Sequence, residues 1–226
     1  MNLFLLFVSI ILTFSGLLFM KRVLGKIGVI GFMGIATIIA NILICKSVNF
    51  GGLSATLGNV MFASNFLATD ILTECYGEKA ARKGILFAAL SIIGFMITTQ
   101  IALLFVPNEF DFGHESMVTL FSLTPRITLA SVSLFILSNI ADIKLYAYIK
   151  EKCRGEKMWL RNNLCTILCN GSENFIFYFI AFSGVMSGAE IISAGLAATI
   201  IETIIALCDT PFLYLAKHVR EGTEND

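Results

Sequence analysis

Charge is scarce in this sequence. Only 14% of its 226 residues are Asp, Glu, Lys or Arg, where a soluble domain carries about a quarter, and that shortfall excludes an ordinary water-soluble globule. Net charge gives no guide to partners, because 16 Lys and Arg cancel 16 Asp and Glu, so nothing in the balance points to nucleic acid. Histidine is rarer still. The two present, His114 and His218, fall in a loop and in the tail, on opposite sides of a membrane, which leaves no base for a Ser or Cys hydrolase. The P-loop pattern G-x-x-x-x-G-K-[ST] is missing, so the chain does not hydrolyse ATP by itself. Its six cysteines (Cys45, Cys75, Cys153, Cys165, Cys169, Cys208) form no C-x-x-C pair and read as small apolar residues. No linker, low-complexity segment or internal repeat of the kind that builds two-half carriers stands out.

What is abundant is apolar sequence, 57% of the chain, with a mean hydropathy of +0.84. Crossing about 30 Å of hydrocarbon takes roughly 20 apolar residues as helix. Seven such runs are spaced along the chain, at about 2–19, 27–45, 51–70, 84–106, 127–148, 162–185 and 190–215. The first reads as a retained spanning helix because its cations, Lys21, Arg22 and Lys26, follow the run instead of preceding it. The expected fold is therefore all-α, a polytopic membrane bundle over residues 1–226 with a short cytoplasmic tail at 216–226.

Orientation follows from the loops, since cytoplasmic loops retain Lys and Arg. With the N-terminus outside and the C-terminus cytoplasmic, 14 cations fall inside and only Lys46 and Arg126 fall outside. The connection holding Glu109, Asp111, His114 and Glu115 then lies outside, with His114 as surface. Small-residue pairs, Ala36 with Ala40 and Gly184 with Gly188, are assigned to close helix packing.

Polar residues inside the spans are more telling, because a charged group near the bilayer centre costs at least ~2.5 to 3.5 kcal/mol and usually marks a site or a pathway. On the fifth run Ser138, Asn139 and Asp142 lie close enough to share a helical face. The sixth stacks Thr166, Asn170, Glu173 and Asn174 on one stripe, and the seventh places Glu202 and Asp209 seven apart, with Pro211 just beyond. Asn41 sits on the second run and Asn59 and Asn65 on the third. Amides and hydroxyls can simply join helices, at about 0.6 to 2 kcal/mol per bond. That explanation fails for Glu173 and Glu202. Asp142 and Asp209, nearer the cytoplasmic ends, are the stronger candidates for ion pairs, and Lys144 is a candidate partner for Glu202. Carboxylates, amides and aromatics converging in one patch suit a small, flat, polar ligand, since a carboxylate accepts two parallel N–H bonds and an amide both donates and accepts.

The segment T-D-I-L-T-E-C-Y-G-E-K-A-A-R, Thr69 to Arg82, resembles the signature of the queuosine precursor transporter family, small bacterial membrane proteins that take up deazaguanine bases for tRNA modification. Ala40-Asn41 with Lys46, Ser138-Asn139-x-x-Asp142, W-L-R-N-N at Trp159 to Asn163 followed by N-x-S-E at Asn170 to Glu173, and Asp209-Thr210-Pro211-Phe212 with Tyr214 resemble further motifs of that family in the same order. The resemblance implies a six-helix core plus an N-terminal helix in the bacterial inner membrane. It also implies a substrate cavity lined by Asn41, Asp70, Asn139, Asp142, Asn170, Glu173 and Asn174, and no nucleic-acid partner, cofactor or metal. Asn139 stands where the family has Gln, Glu173 where it has Asp, Asn174 where it has Thr, and Glu202 where many members carry Lys. The more acidic site favours a base bearing an amine, the aminomethyl precursor or queuine, over the cyano precursor. Glu74, one turn from Asp70 at the inner end of the third run, is assigned with Glu202 and Asp209 to gating or coupling, and Gly77 to the turn that follows.

Two other readings stay open. A small bundle with A-x-x-x-A at Ala36 and Ala40 also looks like the substrate-binding subunit of an energy-coupling-factor transporter. Asp70-x-x-x-Glu74 places two carboxylates on one helical face, as an intramembrane Mg²⁺-dependent enzyme would, yet the second acidic motif such an enzyme requires is not visible. A homodimer and a single-bundle cavity are the two arrangements that fit a chain without repeats.

Overall fold

The computed structural model describes residues 1–50, 53–122, 125–153, 158–184 and 187–219, leaving out the side chains of 53–55, 125–129, 131, 161, 166, 181 and 182. The expectations for Arg126, Arg154, Lys157, Arg161, Thr166, Arg220 and most of the tail therefore lie outside the described residues. The element order is α1 (Asn2–Leu43), β1 (Ser47–Phe50), β2 (Leu53–Thr56), α2 (Gly58–Tyr76), α3 (Glu78–Leu104), α4 (His114–Phe121), α5 (Pro125–Lys152), α6 (Met158–Phe182) and α7 (Gly188–His218).

A straight helix of α1's 42 residues would be about 63 Å long, twice a bilayer's apolar core. It is not straight. Gly25 leaves helical geometry at φ 55, ψ −138, a conformation that glycine alone adopts without strain, and the chain turns back there. Asn2 Nδ2 consequently donates to the carbonyl of Asn49 at 3.1 Å, and Leu12, Thr13 and Gly16 of the first arm face Phe32, Ala36 and Ile39 of the second. The arms 2–24 and 26–43 are the first two passes, and the described residues hold seven.

The third pass departs from its expected bounds. Residues 51–70 are apolar enough to suggest a span, but β1 and β2 form an antiparallel hairpin, with Ser47 opposite Thr56 and Phe50 opposite Leu53, and α2 starts only at Gly58. The sequence between the strands is Gly51-Gly52, a hairpin signal that an apolar-run scan overlooks. Gly77, at φ 83, makes the turn into α3, as its position after the third run suggested. The small-residue pairs divide. Ala36 and Ala40 are buried, and a side chain on Gly58 would meet the Ala40 carbonyl at 2.7 Å, so these helices do cross closely. Gly184 and Gly188 face open space, which overturns the packing assigned to them. Gly184 answers instead to its positive φ of 84.

Helix α2 is the buried centre of the bundle, packed by α1, α3, α5 and α7. Its polar residues Ser64, Asn65, Thr69, Asp70 and Thr73 are all buried, sheltered from lipid by the other helices. Four helices are long and apolar enough on their own to cross a membrane, α1, α3, α5 from Val132, and α7. Polar groups on α2 and α6 are affordable because they face protein. Seven passes put Lys21, Lys26, Lys79, Arg82, Lys83, Lys150, Lys152 and Lys217 at one end of the bundle, where Lys21 Nζ donates to the Val219 carbonyl. The N-terminus, Lys46, the β-hairpin and α4 occupy the other end.

Candidate functional site

A cavity of about 310 Å³ opens between α1, α2, α3, α5, α6 and α7 toward the hairpin end, with exposed Cys45 at its rim. Its walls are aromatic and its polar groups few. Phe62, Phe135, Phe177 and Tyr178 line it together with Asn41, Asn59, Glu173, Asn174 and Glu202. Phe62 and Phe135 meet edge to face with centroids 6.1 Å apart. Phe177 and Tyr178 follow Glu173 and Asn174 by one helical turn, so the stripe on α6 that carries the acid and the amide also carries the rings.

The polar groups are ordered from both sides. Asn174 Nδ2 donates to Glu202 Oε2 at 2.7 Å, which joins α6 to α7 and gives Glu202 an amide partner while Lys144 is exposed. Asn41 Nδ2 donates to the Thr37 carbonyl at 2.9 Å, and the Thr56 hydroxyl donates to Asn59 Oδ1 at 2.7 Å. Glu173, 8% exposed, keeps one oxygen, Oε2, with no hydrogen-bond partner among the described residues. A buried carboxylate oxygen without a donor is costly, and a ligand N–H would satisfy it.

Beneath the cavity lies a second buried tier containing the other candidates. Asp70, Asn139, Asp142 and Asn170 are each at most 2% exposed and do not line the cavity. Thr69 Oγ1 donates to Asp142 Oδ2 at 3.4 Å, and Asn139 Nδ2 donates to the Phe135 carbonyl at 2.8 Å. Asn170 has no partner for either amide atom among the described residues. Deeper still, Asn162 Nδ2 donates to Asp209 Oδ1 at 2.6 Å and Asn163 Nδ2 to Thr210 Oγ1 at 2.7 Å, one residue before Pro211, whose missing N–H loosens α7 there. In place of the ion pairs expected for them, Asp142 and Asp209 accept from these hydroxyl and amide donors among the described residues. At the cationic end Glu74 receives Lys150 Nζ at 2.9 Å and Lys217 Nζ at 3.1 Å. Asp70 and Glu74 are thus not neighbours at a cavity mouth. The first belongs to the buried tier and the second to a clasp of α2, α5 and α7.

Sequence reasoning did not single out the aromatic wall or Asn162. Phe177 and Tyr178 were legible as residues four beyond Glu173 and Asn174, and Asn162 as part of W-L-R-N-N.

A polytopic helical membrane transporter is the class that this fold and its relatives define. The chain belongs to the family described as "Putative vitamin uptake transporter", whose model matches residues 56–216. It is 34% identical over 224 residues to the "Probable queuosine precursor transporter" of Bacillus subtilis (strain 168), covering 99% of this chain and 97% of the relative. It is 31% identical over 144 residues to the "Queuosine precursor transporter" of Escherichia coli (strain K12), covering 63% of this chain and 62% of the relative. The "Probable queuosine precursor transporter" of Haemophilus influenzae is 25% identical over 128 residues, covering 57% and 52%. No solved structure matches. The family match makes the chain a transporter, not an enzyme.

Proposed function

We propose that this chain imports a queuosine precursor or a related 7-deazaguanine base across the bacterial inner membrane for tRNA modification, with its N-terminus outside and its C-terminus cytoplasmic. One observation carries the reading: in an aromatic-walled cavity, the unpartnered Oε2 of Glu173 sits beside the Asn174–Glu202 pair. A flat base stacks on Phe62, Phe135 or Phe177, its N–H edge meets Glu173, and Asn41 and Asn174 read its remaining donors and acceptors. The names of the relatives support the substrate class, and the cationic end supports the orientation.

Two carboxylates on one cavity favour a base that carries an amine. Glu173 takes the N–H edge and Glu202 counters the ammonium, which places the aminomethyl precursor and queuine ahead of the cyano precursor. Glu74 acts as part of the inner gate through Lys150 and Lys217, and Asp209, held by Asn162, serves the gating or coupling step. The energy-coupling-factor reading needs a helix-packing stripe offered to a partner, whereas Ala36 and Ala40 are buried within the chain; uptake by cells lacking all such modules separates the two.

The test is uptake of labelled deazaguanine bases by proteoliposomes. The wild type accumulates base saturably, and Glu173→Ala binds it about 10- to 100-fold more weakly, the loss expected when a charged hydrogen-bond acceptor is removed. No accumulation by the wild type, or full accumulation by Glu173→Ala, sinks the assignment. Thermal stabilisation by the amine-bearing bases exceeds that by the cyano precursor, and the reverse order removes the role given to Glu202.

A further inference from the structure

We propose that Asn59 sets the specificity of the cavity by donating a hydrogen bond to an exocyclic carbonyl oxygen of the bound base. This role rests on the base-binding reading above and adds the group that tells an oxo-base from an analogue lacking that acceptor.

The three amides on the cavity wall, Asn41, Asn59 and Asn174, are not held alike. Asn41 Nδ2 donates to the Thr37 carbonyl at 2.9 Å and Asn174 Nδ2 to Glu202 Oε2 at 2.7 Å, so both are anchored by nitrogen and keep their oxygens unspent. Asn59 is anchored the other way round. Its Oδ1 accepts from the Thr56 hydroxyl at 2.7 Å, and no described residue takes a bond from its Nδ2. An amide turns as one rigid unit, so the hydroxyl that holds Oδ1 also fixes the NH2 group. Asn59 is only half-buried, on the wall of a cavity that opens to solvent.

Acceptors are plentiful on the same wall and free donors are few. Glu173, Glu202 and the oxygens of Asn41 and Asn174 all accept. The Thr37 hydroxyl is spent on the Met33 carbonyl at 2.7 Å, Cys45 Sγ on the Leu120 carbonyl at 3.6 Å, and the Thr56 hydroxyl on Asn59. A ligand N–H therefore finds several partners, whereas a ligand C=O finds a wholly unspent NH2 group at Asn59. Tyr178 is the other wall residue with a hydroxyl, and it is the rival donor in the experiment below.

The surroundings favour the same group. Asn59 stands in the first turn of α2, where the N-cap residue Leu57 supplies no side-chain cap, so the positive end of the helix dipole backs the amide and favours a partly negative oxygen beside it. Neighbouring Gly58 packs so closely on α1 that a Cβ would meet the Ala40 carbonyl at 2.7 Å, and the Leu57 backbone N–H donates to the Lys46 carbonyl at 2.9 Å. A donor carried on so fixed a corner selects by position as well as by polarity.

The experiment measures displacement of labelled 7-deazaguanine from the purified full chain in micelles by two competitors, unlabelled 7-deazaguanine and 7-deaza-6-thioguanine. Both carry the same N–H edge and neither carries an amine side arm, so the pair differ only in the acceptor, oxygen against weakly accepting sulfur. The wild type prefers the oxo base by about tenfold, the range of one well-made hydrogen bond. Asn59→Asp keeps the shape and loses the donor, and its preference falls to within about twofold or reverses; Asn59→Ala gives the same result should the aspartate variant not fold. Thr56→Val frees the amide to turn and lowers the preference to about threefold, as expected of a positioning residue. Tyr178→Phe keeps the wild-type ratio. A preference that survives unchanged in Asn59→Asp means that the bulk of sulfur is rejected and not the missing bond, and it overturns the assignment. Equal binding of the two competitors by the wild type, or a preference lost in Tyr178→Phe, overturns it as well. Failure of the base-binding reading looks different: the wild type then binds neither competitor, and the role given to Asn59 falls with it.

Discussion

At the cationic end of the bundle, Glu74 clasps Lys150 and Lys217, Asn162 and Asn163 hold Asp209 and Thr210, and any side chain on Gly28 would lie 2.1 Å from the Met20 carbonyl oxygen. At the hairpin end, Gly184 and Gly188 meet nothing within 4 Å, Cys45 is exposed on the cavity rim, and among the described residues α4 is held by Gln100 Nε2 on the Phe121 carbonyl, Cys45 Sγ on the Leu120 carbonyl and the ring of Phe95 on Phe121. Both ends serve the same seven passes, so helix count alone does not account for the difference. What separates them is access: the cavity reaches solvent at the loose end and stops short of the tied one. On the proposed carrier reading this end is the open one, and release of the clasp is the step expected to let the cargo leave.

The largest effect should come from breaking the tied end at its turn. Gly28→Ala sets a Cβ against the backbone of the facing arm, where no rotamer change relieves the clash, and about 3 kcal/mol or more of stability should be lost. Gly188→Ala, at the start of α7 with open space around it, should change stability by no more than about 0.5 kcal/mol. The unfolding midpoint of the two purified variants in mixed micelles checks the contrast, and equal tolerance of both would erase it.

Next in size is the clasp. Glu74 is nearly buried while Lys150 and Lys217 are 35% and 54% exposed, so each bridge is screened and only modestly stabilising. Glu74→Gln removes the charge that both lysines share. Downhill efflux of preloaded base should rise roughly threefold to tenfold, the range a gate weakened by about 1 kcal/mol allows. A combined Lys150→Met and Lys217→Met variant should have the same effect as Glu74→Gln, and adding Glu74→Gln to it should do nothing more. An unchanged efflux rate would mean that the clasp is ordinary surface pairing.

A smaller effect tests which side the open end faces. Cys45 is the one fully exposed thiol, while Cys165 and Cys169 are buried and Cys75, Cys153 and Cys208 half-buried. A membrane-impermeant maleimide should label Cys45 on intact cells, and bound base should slow labelling by about twofold to threefold because the thiol borders the cavity. Labelling confined to inverted vesicles would reverse the proposed orientation.

Most of the architecture was legible because hydrocarbon thickness sets one length scale for every span. The seven runs, the turn at Gly77 and the segregation of cations to one end follow from that scale and from where Lys and Arg fall. The hairpin escaped because 51–57 is as apolar as a span, and only its paired glycines signal a turn. The site was half legible. Cost singled out Glu173 and Glu202 as carboxylates needing protein around them, and both are buried, whereas Asp142 and Asp209, placed by the sequence nearer the cytoplasmic ends as ion-pair candidates, are buried as well. Cost alone does not say which of them share a space: Glu173 and Glu202 both line the cavity, whereas Asp70 and Asp142 are buried outside it, and that division depends on how the helices pack. Glu74 looked like the partner of Asp70 because they share a helical face, yet a single turn of α2 carries the chain from the buried tier to the cationic clasp.

The finest test concerns how the loose end keeps what order it has. Asp111 Oδ1 accepts from the backbone N–H of Gly113 at 2.7 Å and of His114 at 2.9 Å, fixing the entry to α4. Those bonds hold the exposed carboxyl below its ordinary value of 3.8, because they favour the charged form. A depressed folded value means that the contribution is complete above the unfolded value of 3.8 and is lost as pH falls through the lower folded one. Hydrogen-exchange protection at Gly113, His114 and the first turn of α4 should therefore be level from neutral pH down to that value and decline only in stronger acid. Asp111→Asn keeps an acceptor oxygen without a titrating group, so its protection should be weaker at neutral pH and flat across the acid range. Asp111→Ala should remove the protection throughout. Base uptake should be unaffected by either variant, since the order at this corner is local and lies away from the proposed cavity and gate. A parallel loss of uptake would show that the loose end takes part in the transport cycle itself.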